Sequence, residues 1–180
     1  MRLYFVVSAQ GGSGRKYDRL NKIGIEQAKR LGPFFKNKRI DIVYCSTNMR
    51  AKQTYKHIKP FLNDVPLIFT KKLRQHGVPA EVGTGYKFLE AGEKETEPEL
   101  EKRTRNFFEF LKRHYKKEHV LVLSHKEVLK SLILKVMSLP SPEKKYFRLH
   151  SASVSVFEIE KGMKGRAFRI NDISHLFRKY

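Results

Sequence analysis

The chain has 180 residues, of which 40% are hydrophobic and 12% aromatic, and this favours one globular domain over residues 1–180 rather than disorder. The sequence has no apolar run long enough to span a bilayer and no signal-peptide pattern. Its single cysteine, Cys45, excludes an internal disulfide. We therefore expect a cytoplasmic protein without membrane contacts. With 38 Lys+Arg against 18 Asp+Glu, the formal charge of +20 favours anionic partners.

Strand-like and helix-like segments alternate in the first part of the chain. The sequence predicts strands at 2–7, 39–46 and 65–69, and helices at 21–36 and 47–61. Pro33 lies near the end of the first helix, and Ser46 or Thr47 is expected to cap the second.

The second part of the chain continues the alternation. Strands are predicted at 119–124, 153–160 and 165–172, and helices at 99–117 and 126–137. One face of the helix at 99–117 is predicted to be buried, and it carries Leu100, Thr104, Phe107, Phe108, Leu111 and Tyr115. The whole pattern predicts an α/β fold, a three-layer α/β/α sandwich around a mainly parallel sheet of about six strands.

Residues 75–98 interrupt this pattern. The segment is long, punctuated by glycine and proline, and carries several glutamates in an otherwise basic protein. Loops of this length are either lids over a site or solvated excursions of the surface.

Three polar segments follow predicted parallel strands, where ligands of such sheets bind. They are the loop 8–14, the helix start at 46–50 and the pair Ser124-His125. Helix N-termini favour anions, Arg50 can bind a phosphate with two hydrogen bonds, and His125 can supply a hydrogen bond or a proton. The sequence therefore predicts a phosphate-sized anion site.

Seven stretches of the sequence form a recognisable series. In chain order they are LYFVVSAQG, LNKIGIEQAKRLG, VYCSTNMRAKQTY, LRQ, VLVLSHKEVL, SASVSVFE and INDISHL. This series resembles the histidine phosphatase superfamily with its phosphoglycerate mutase-like fold. The resemblance implies phosphoryl transfer through a phosphohistidine. In that reaction one histidine attacks, two arginines and a second histidine hold the phosphoryl group, and an acid protonates the leaving group.

The family's site residues are only partly present at the matching positions. Arg50 matches a phosphate-binding arginine, and His125 matches the second histidine. The nucleophile's position is occupied by Ser8, that of the first arginine by Val7, and that of the acid by Gln75.

Two glycines that follow the second histidine in the family are replaced by Lys126 and Glu127. The resemblance therefore implies a degenerate catalytic site, a pseudoenzyme that binds phosphate or a phosphorylated small molecule through Arg50 and His125 without efficient hydrolysis. A serine is a poor nucleophile without a base, so Ser8 either fills the space of the lost histidine or attacks with help from His125. In the second case the protein would remain a phosphatase.

A third hypothesis is a nucleic-acid-associated protein. Cations and aromatic residues are mixed at 112–117, 144–148 and 161–169, as on surfaces that contact RNA. No metal or other cofactor is expected, because the remaining histidines lack the spacing of metal ligands. These histidines are His57, His76, His114, His119, His150 and His175.

Overall fold

A computed structural model describes residues 1–13, 18–76, 95–160 and 165–177 of the chain, and within these ranges there are six strands and four α-helices. The strands are β1 (Arg2–Val7), β2 (Ile42–Ser46), β3 (Leu67–Thr70), β4 (His119–Ser124), β5 (Val154–Glu158) and β6 (Arg166–Asp172). The helices are α1 (Lys22–Leu31), α2 (Met49–Ile58), α3 (Glu97–His114) and α4 (Lys126–Met137).

The six strands form one sheet in the order β3-β2-β4-β1-β5-β6. The pairs β3–β2, β2–β4 and β4–β1 are parallel, whereas β5 is antiparallel to both β1 and β6. Helices α1 and α2 pack on one face of the sheet, and α3 and α4 pack on the other. The predicted three-layer sandwich with a mainly parallel sheet is confirmed.

Both faces of the central strands are buried, which explains why they appear as continuous apolar runs. In β1, Leu3 and Phe5 pack with α3 and α4, whereas Tyr4 and Val6 pack with α1 and α2. The strand β4 alternates in the same way.

Helix α3 has the predicted buried face, with Leu100, Thr104, Phe107, Phe108 and Leu111 buried and Tyr115 partly buried. It begins two residues earlier than predicted, because Thr96 and Glu99 form a reciprocal capping box. It ends at His114 rather than at 117, since Tyr115 adopts an extended backbone conformation (φ −122°, ψ 128°).

Two expectations for the first half of the chain are wrong. The helix predicted at 21–36 ends at Leu31 and continues as a 3₁₀ turn over Gly32–Phe35, because Pro33 has no N–H for an α-helical bond. Neither Ser46 nor Thr47 caps α2, since β2 extends through Ser46 and Asn48 becomes the N-cap residue. The first N–H of the helix, on Met49, instead donates to Asp18 Oδ2 at 2.9 Å.

The strand predicted at 39–46 is shorter than expected and begins at Ile42, and the closing hairpin of β5 and β6 is present. Most of the predicted loop 75–98 lies outside the described residues, and Glu97 and Pro98 at its end belong to α3. Within the described part of the chain, no helix is both long and apolar enough to cross a membrane.

Candidate functional site

The candidate site lies beyond the carboxyl ends of β1, β2 and β4. Val7 is paired with Ser124 in the ladder of β1 and β4, so Ser8 and His125 follow side by side. Together with Arg50 and Gln75 they line a cavity of about 370 Å³. The structure therefore brings together all four side chains selected from the sequence. The other lining residues are Val7, Gln10, Gly11, His76, Lys126, Glu127 and Ser151.

The imidazole of His125 lies between two serine hydroxyls. Its Nδ1 is 3.4 Å from Ser8 Oγ, and its Nε2 is 3.0 Å from Ser46 Oγ. Ser8 and His125 are 4% and 3% exposed, and Ser46 is fully buried. Ser8 is held in place by its own N–H, which donates to the carbonyl of Ser124 at 2.8 Å.

The environment of His125 keeps the ring neutral at physiological pH. Burial, with a smaller effect of the positive charges of Arg50 and Arg103, lowers the pKa of His125 to about 3. The ring therefore carries no positive charge near pH 7 while the cavity is empty. It is also a weak base for removing a proton from Ser8, because general bases work best when their pKa is near the operating pH.

A polar network holds the other side of the ring. Ser46 Oγ can donate to Asn48 Oδ1 at 3.2 Å, and the Gln75 N–H donates to the same oxygen at 2.9 Å. When the Ser46 hydroxyl is used in this way, Nε2 of His125 must be the donor to Ser46, and Nδ1 accepts from Ser8. In this tautomer, the Ser8 hydroxyl points its hydrogen at a neutral imidazole.

Arg50 reaches the cavity from the first turn of α2. Its Nη2 donates to Gln75 Oε1, and its Nε lies 3.9 Å from a carboxylate oxygen of Asp18. The guanidinium thus already donates a hydrogen bond to a side-chain amide on the cavity wall. An incoming anion would replace this amide as its hydrogen-bond partner.

The loop after β1 is fixed to both neighbouring helices. Ala9 N–H donates to Thr54 Oγ1 at 3.0 Å, and Gln10 N–H donates to Gln27 Oε1 at 3.0 Å. A Cβ atom at Gly24 would lie only 1.9 Å from the carbonyl oxygen of Gln10, so this contact requires glycine. The cavity wall that contains Gln10 is therefore built directly against helix α1.

Val7 supplies no polar group where the resemblance expects an arginine. It is 3% exposed and packs in the core beneath α3 and α4. Among the described residues there is no group of three or more histidine, cysteine, aspartate or glutamate side chains that could hold a metal ion. The polar groups of the cavity are hydroxyls, amides, imidazoles and charged side chains, a set suited to an anion.

Comparison with known protein families identifies the fold. The pattern of the histidine phosphatase superfamily (branch 1) matches residues 9–84 and 78–172 of the chain. The chain belongs to the histidine phosphatase superfamily. The family match begins at Ala9, immediately after Val7 and Ser8. No significant match to this chain is found among curated proteins.

Several solved structures show the same fold at low sequence identity. The α-ribazole phosphatase of Shigella flexneri has a TM-score of 0.78 and 20% identity, with 96% of each chain covered. YhfR of Bacillus stearothermophilus has a TM-score of 0.75 and 20% identity, covering 97% of this chain and 98% of the other. A phosphoserine phosphatase of Entamoeba histolytica, in complex with 3-phosphoglyceric acid, has a TM-score of 0.71 and 17% identity, with 97% and 98% covered.

Sequence reasoning missed three residues at this site. Ser46 and Asn48 lie in the segment 46–50 of the predicted anion site, but the sequence indicates no role for Ser46 beyond a helix cap and none for Asn48, and it indicates no metal-binding role for His76. Ser46 ends a predicted strand in the same way as Ser124, and this position was the signal that could have placed it beside His125. Nothing in the sequence indicates that Asn48 links Ser46 to Gln75.

Proposed function

We propose that this histidine phosphatase homologue binds the phosphate group of a phosphorylated small molecule in the cavity and does not hydrolyse it efficiently. The observation that carries the proposal is Ser8 directly after β1, where the family resemblance implies a nucleophilic histidine. Its hydroxyl faces the neutral ring of His125 at 3.4 Å. No imidazole of the β1 loop is available to accept the phosphoryl group, since residues 8–13 contain no histidine.

Binding would use the groups that remain. The guanidinium of Arg50 can exchange its bond with Gln75 for two phosphate oxygens. The N-terminus of α4 lies at the cavity through Lys126 and Glu127, and its first N–H groups and dipole favour an anion. The hydroxyl of Ser8 can turn from His125 to a phosphate oxygen. These contacts support recognition of the phosphate itself rather than its organic substituent.

Phenyl phosphate should bind to the protein without measurable turnover. Arg50→Ala should weaken binding by about 10-fold to 100-fold, because a charge-assisted hydrogen bond contributes roughly 1.5–3 kcal/mol. Isothermal titration calorimetry gives the affinity, and phosphate release gives the turnover. Arg113→Ala, which changes an exposed arginine outside the cavity, is the matched control and should bind normally. Equal affinity of the wild type and the Arg50 variant would contradict the proposal.

A competing function is a phosphatase that uses Ser8 as its nucleophile. The contact of 3.4 Å between Ser8 Oγ and His125 Nδ1 favours this alternative. The pKa of about 3 at His125 opposes it, because so weak a base leaves the hydroxyl protonated. Phosphate release by the wild type that disappears in both Ser8→Ala and His125→Ala would establish the phosphatase and reject the proposed function.

Nucleic-acid binding is supported by a second cavity, of about 880 Å³, near the beginning of β1. Its walls carry three of the basic residues of the segment 112–117, further basic residues from outside that segment, and aromatic side chains. They include Arg105, Lys112, Lys116, Lys117 and Lys135, with Phe108 and Tyr115. A positive groove with aromatic walls is typical of surfaces that hold single-stranded nucleic acid.

If this cavity binds nucleic acid, the affinity for a single-stranded oligonucleotide should fall steeply with salt, because contacts to phosphates release counterions. The double variant Lys116→Glu/Lys117→Glu should then weaken binding more than Lys36→Glu/Lys38→Glu, which makes the same charge change at other exposed lysines. Fluorescence anisotropy at two salt concentrations measures both effects. Equal losses in the two variants would indicate attraction by the net charge alone.

A further inference from the structure

His76 lines the same cavity, one residue after Gln75, and the function proposed above does not use it. Its Nδ1 lies 3.2 Å from Glu95 Oε2, and its Nε2 lies 3.2 Å from Glu97 Oε1. An ionised carboxylate only accepts hydrogen bonds, so both ring nitrogens donate in this arrangement. A ring that donates from both nitrogens is the imidazolium cation.

The Nδ1 side of the ring has a rigid partner. Glu95 has a side chain that is only 4% exposed, and Arg103 donates to it from Nε at 2.5 Å and from Nη2 at 2.6 Å. Burial alone would raise the pKa of Glu95, but the hydrogen bonds and charge of Arg103 and the contact with His76 lower it on balance. Glu95 therefore stays charged and fixes both the ring orientation and the proton on Nδ1.

The Nε2 side of the ring has a partner that can be exchanged. The side chain of Glu97 is 55% exposed, and it has a second cation, Lys144, whose Nζ lies 2.7 Å away. If a ligand oxygen displaced Glu97 from the Nε2–H of His76, the ring could stay in place and Glu97 would keep its ion pair with Lys144. Little electrostatic energy is therefore lost when a ligand oxygen takes the place of this carboxylate.

We infer that His76 is a second cationic contact for the phosphate, donating from Nε2 and supplying the positive charge that Val7 does not provide. The inference rests on the proposed function, since it concerns the same ligand in the same cavity. The charge of His76 would act together with that of Arg50, since both side chains line the cavity. The charged groups around His76 are Glu95, Glu97, Arg103 and Lys144, with Arg50, Lys126 and Glu127 lining the same cavity.

The test measures binding of inorganic sulfate, whose charge does not change over the range from weakly acidic to weakly alkaline pH. His76→Ala should lower the affinity about tenfold or more, as expected for the loss of one charge-assisted hydrogen bond. His114→Ala, an exposed histidine outside this cavity, is the control and should bind like the wild type. Glu97→Gln should bind sulfate at least as tightly as the wild type, because it removes a negative charge and leaves only a neutral amide oxygen to compete for the Nε2–H of His76, and a weaker affinity would contradict the inference.

If Arg50→Ala loses sulfate binding and His76→Ala does not, the inference about His76 is overturned and the proposed function stands. If the wild type binds neither sulfate nor phenyl phosphate, both are overturned.

Discussion

Restoring a histidine at position 8 alone should leave phosphoester hydrolysis at the background rate. The nucleophile, the phosphate-binding groups and the acid act as one unit in catalysis, so one restored member recovers little. In Ser8→His, Val7 still contributes no cation to the phosphoryl group, and the amide of Gln75 still cannot protonate the leaving oxygen. The measurement is kcat/KM for an aryl phosphate and for an alkyl phosphate.

Activity should return in steps when the other positions are changed as well. Val7→Arg and Ala9→Gly, added to Ser8→His, should strengthen phosphate binding and give the new ring room, since Ala9 is buried. Adding Gln75→Glu should raise the rate further, by roughly 10²- to 10⁴-fold and most for the alkyl phosphate, because a poor leaving group needs the proton.

The same series with Arg50→Ala is the control for the restored activity and should be inactive. Gln75→Glu by itself should weaken phosphate binding, because the new carboxylate would form an ion pair with Arg50, which already donates to the side chain at this position. Full activity in Ser8→His alone would show that the remaining site is intact and would contradict the interpretation that Val7 and Gln75 also prevent hydrolysis.

Acidification should destabilise the fold through His125 well before the carboxylates are protonated. In the unfolded chain a histidine binds a proton near its ordinary pKa of 6.5, whereas burial in the fold, followed by the charges of Arg50 and Arg103, lowers the pKa of His125 to about 3. Between these values the unfolded state binds more protons, so the free energy of unfolding falls as the pH falls. The contribution of His125 to the free energy of unfolding is fully present above pH 6.5. Below this pH it is lost at about 1.4 kcal/mol per pH unit.

Urea unfolding at about pH 7, 6 and 5 measures this slope above the range in which most carboxylates titrate. His125→Asn should reduce the fall in the free energy of unfolding between pH 7 and pH 5, whatever its effect on stability at neutral pH. His57→Asn should flatten it less, because the pKa of His57 is also lowered by burial, and further by Lys29 and Lys56, but this side chain is only partly buried. An unchanged slope in the His125 variant would show that the ring is protonated in the folded state.

The central elements could be predicted from the sequence because burial on both faces leaves a continuous apolar run. The observed strands β1 and β4 and the helix α4 have the bounds predicted from such runs and from helical periodicity. Element ends were less predictable, since they depend on contacts between distant residues. The start of α2 is one case, where Asp18 takes the first N–H of the helix.

The site was predictable in its positions but not in its contacts. The order of the elements places Ser8, Arg50 and His125 beyond the carboxyl ends of the parallel strands, and the family resemblance adds Gln75. The hydrogen bond from Arg50 to Gln75 and the pairing of His76 with two glutamates depend on side-chain packing, which neither spacing nor composition reports.

The hydrogen-bond ladder between β1 and β4 fixes the positions of the cavity residues that follow these two strands. The side chains on the other side of the cavity are not held by this ladder. Ser8 and His125 each follow a residue of this ladder, so their spacing is set by backbone hydrogen bonds of the sheet. Arg50 and His76 reach the cavity through side chains whose present partners can be exchanged. Ligands of different size would therefore be accommodated by movement of the Arg50 and His76 side chains. Ser8 and His125 would keep the same positions whichever ligand is bound.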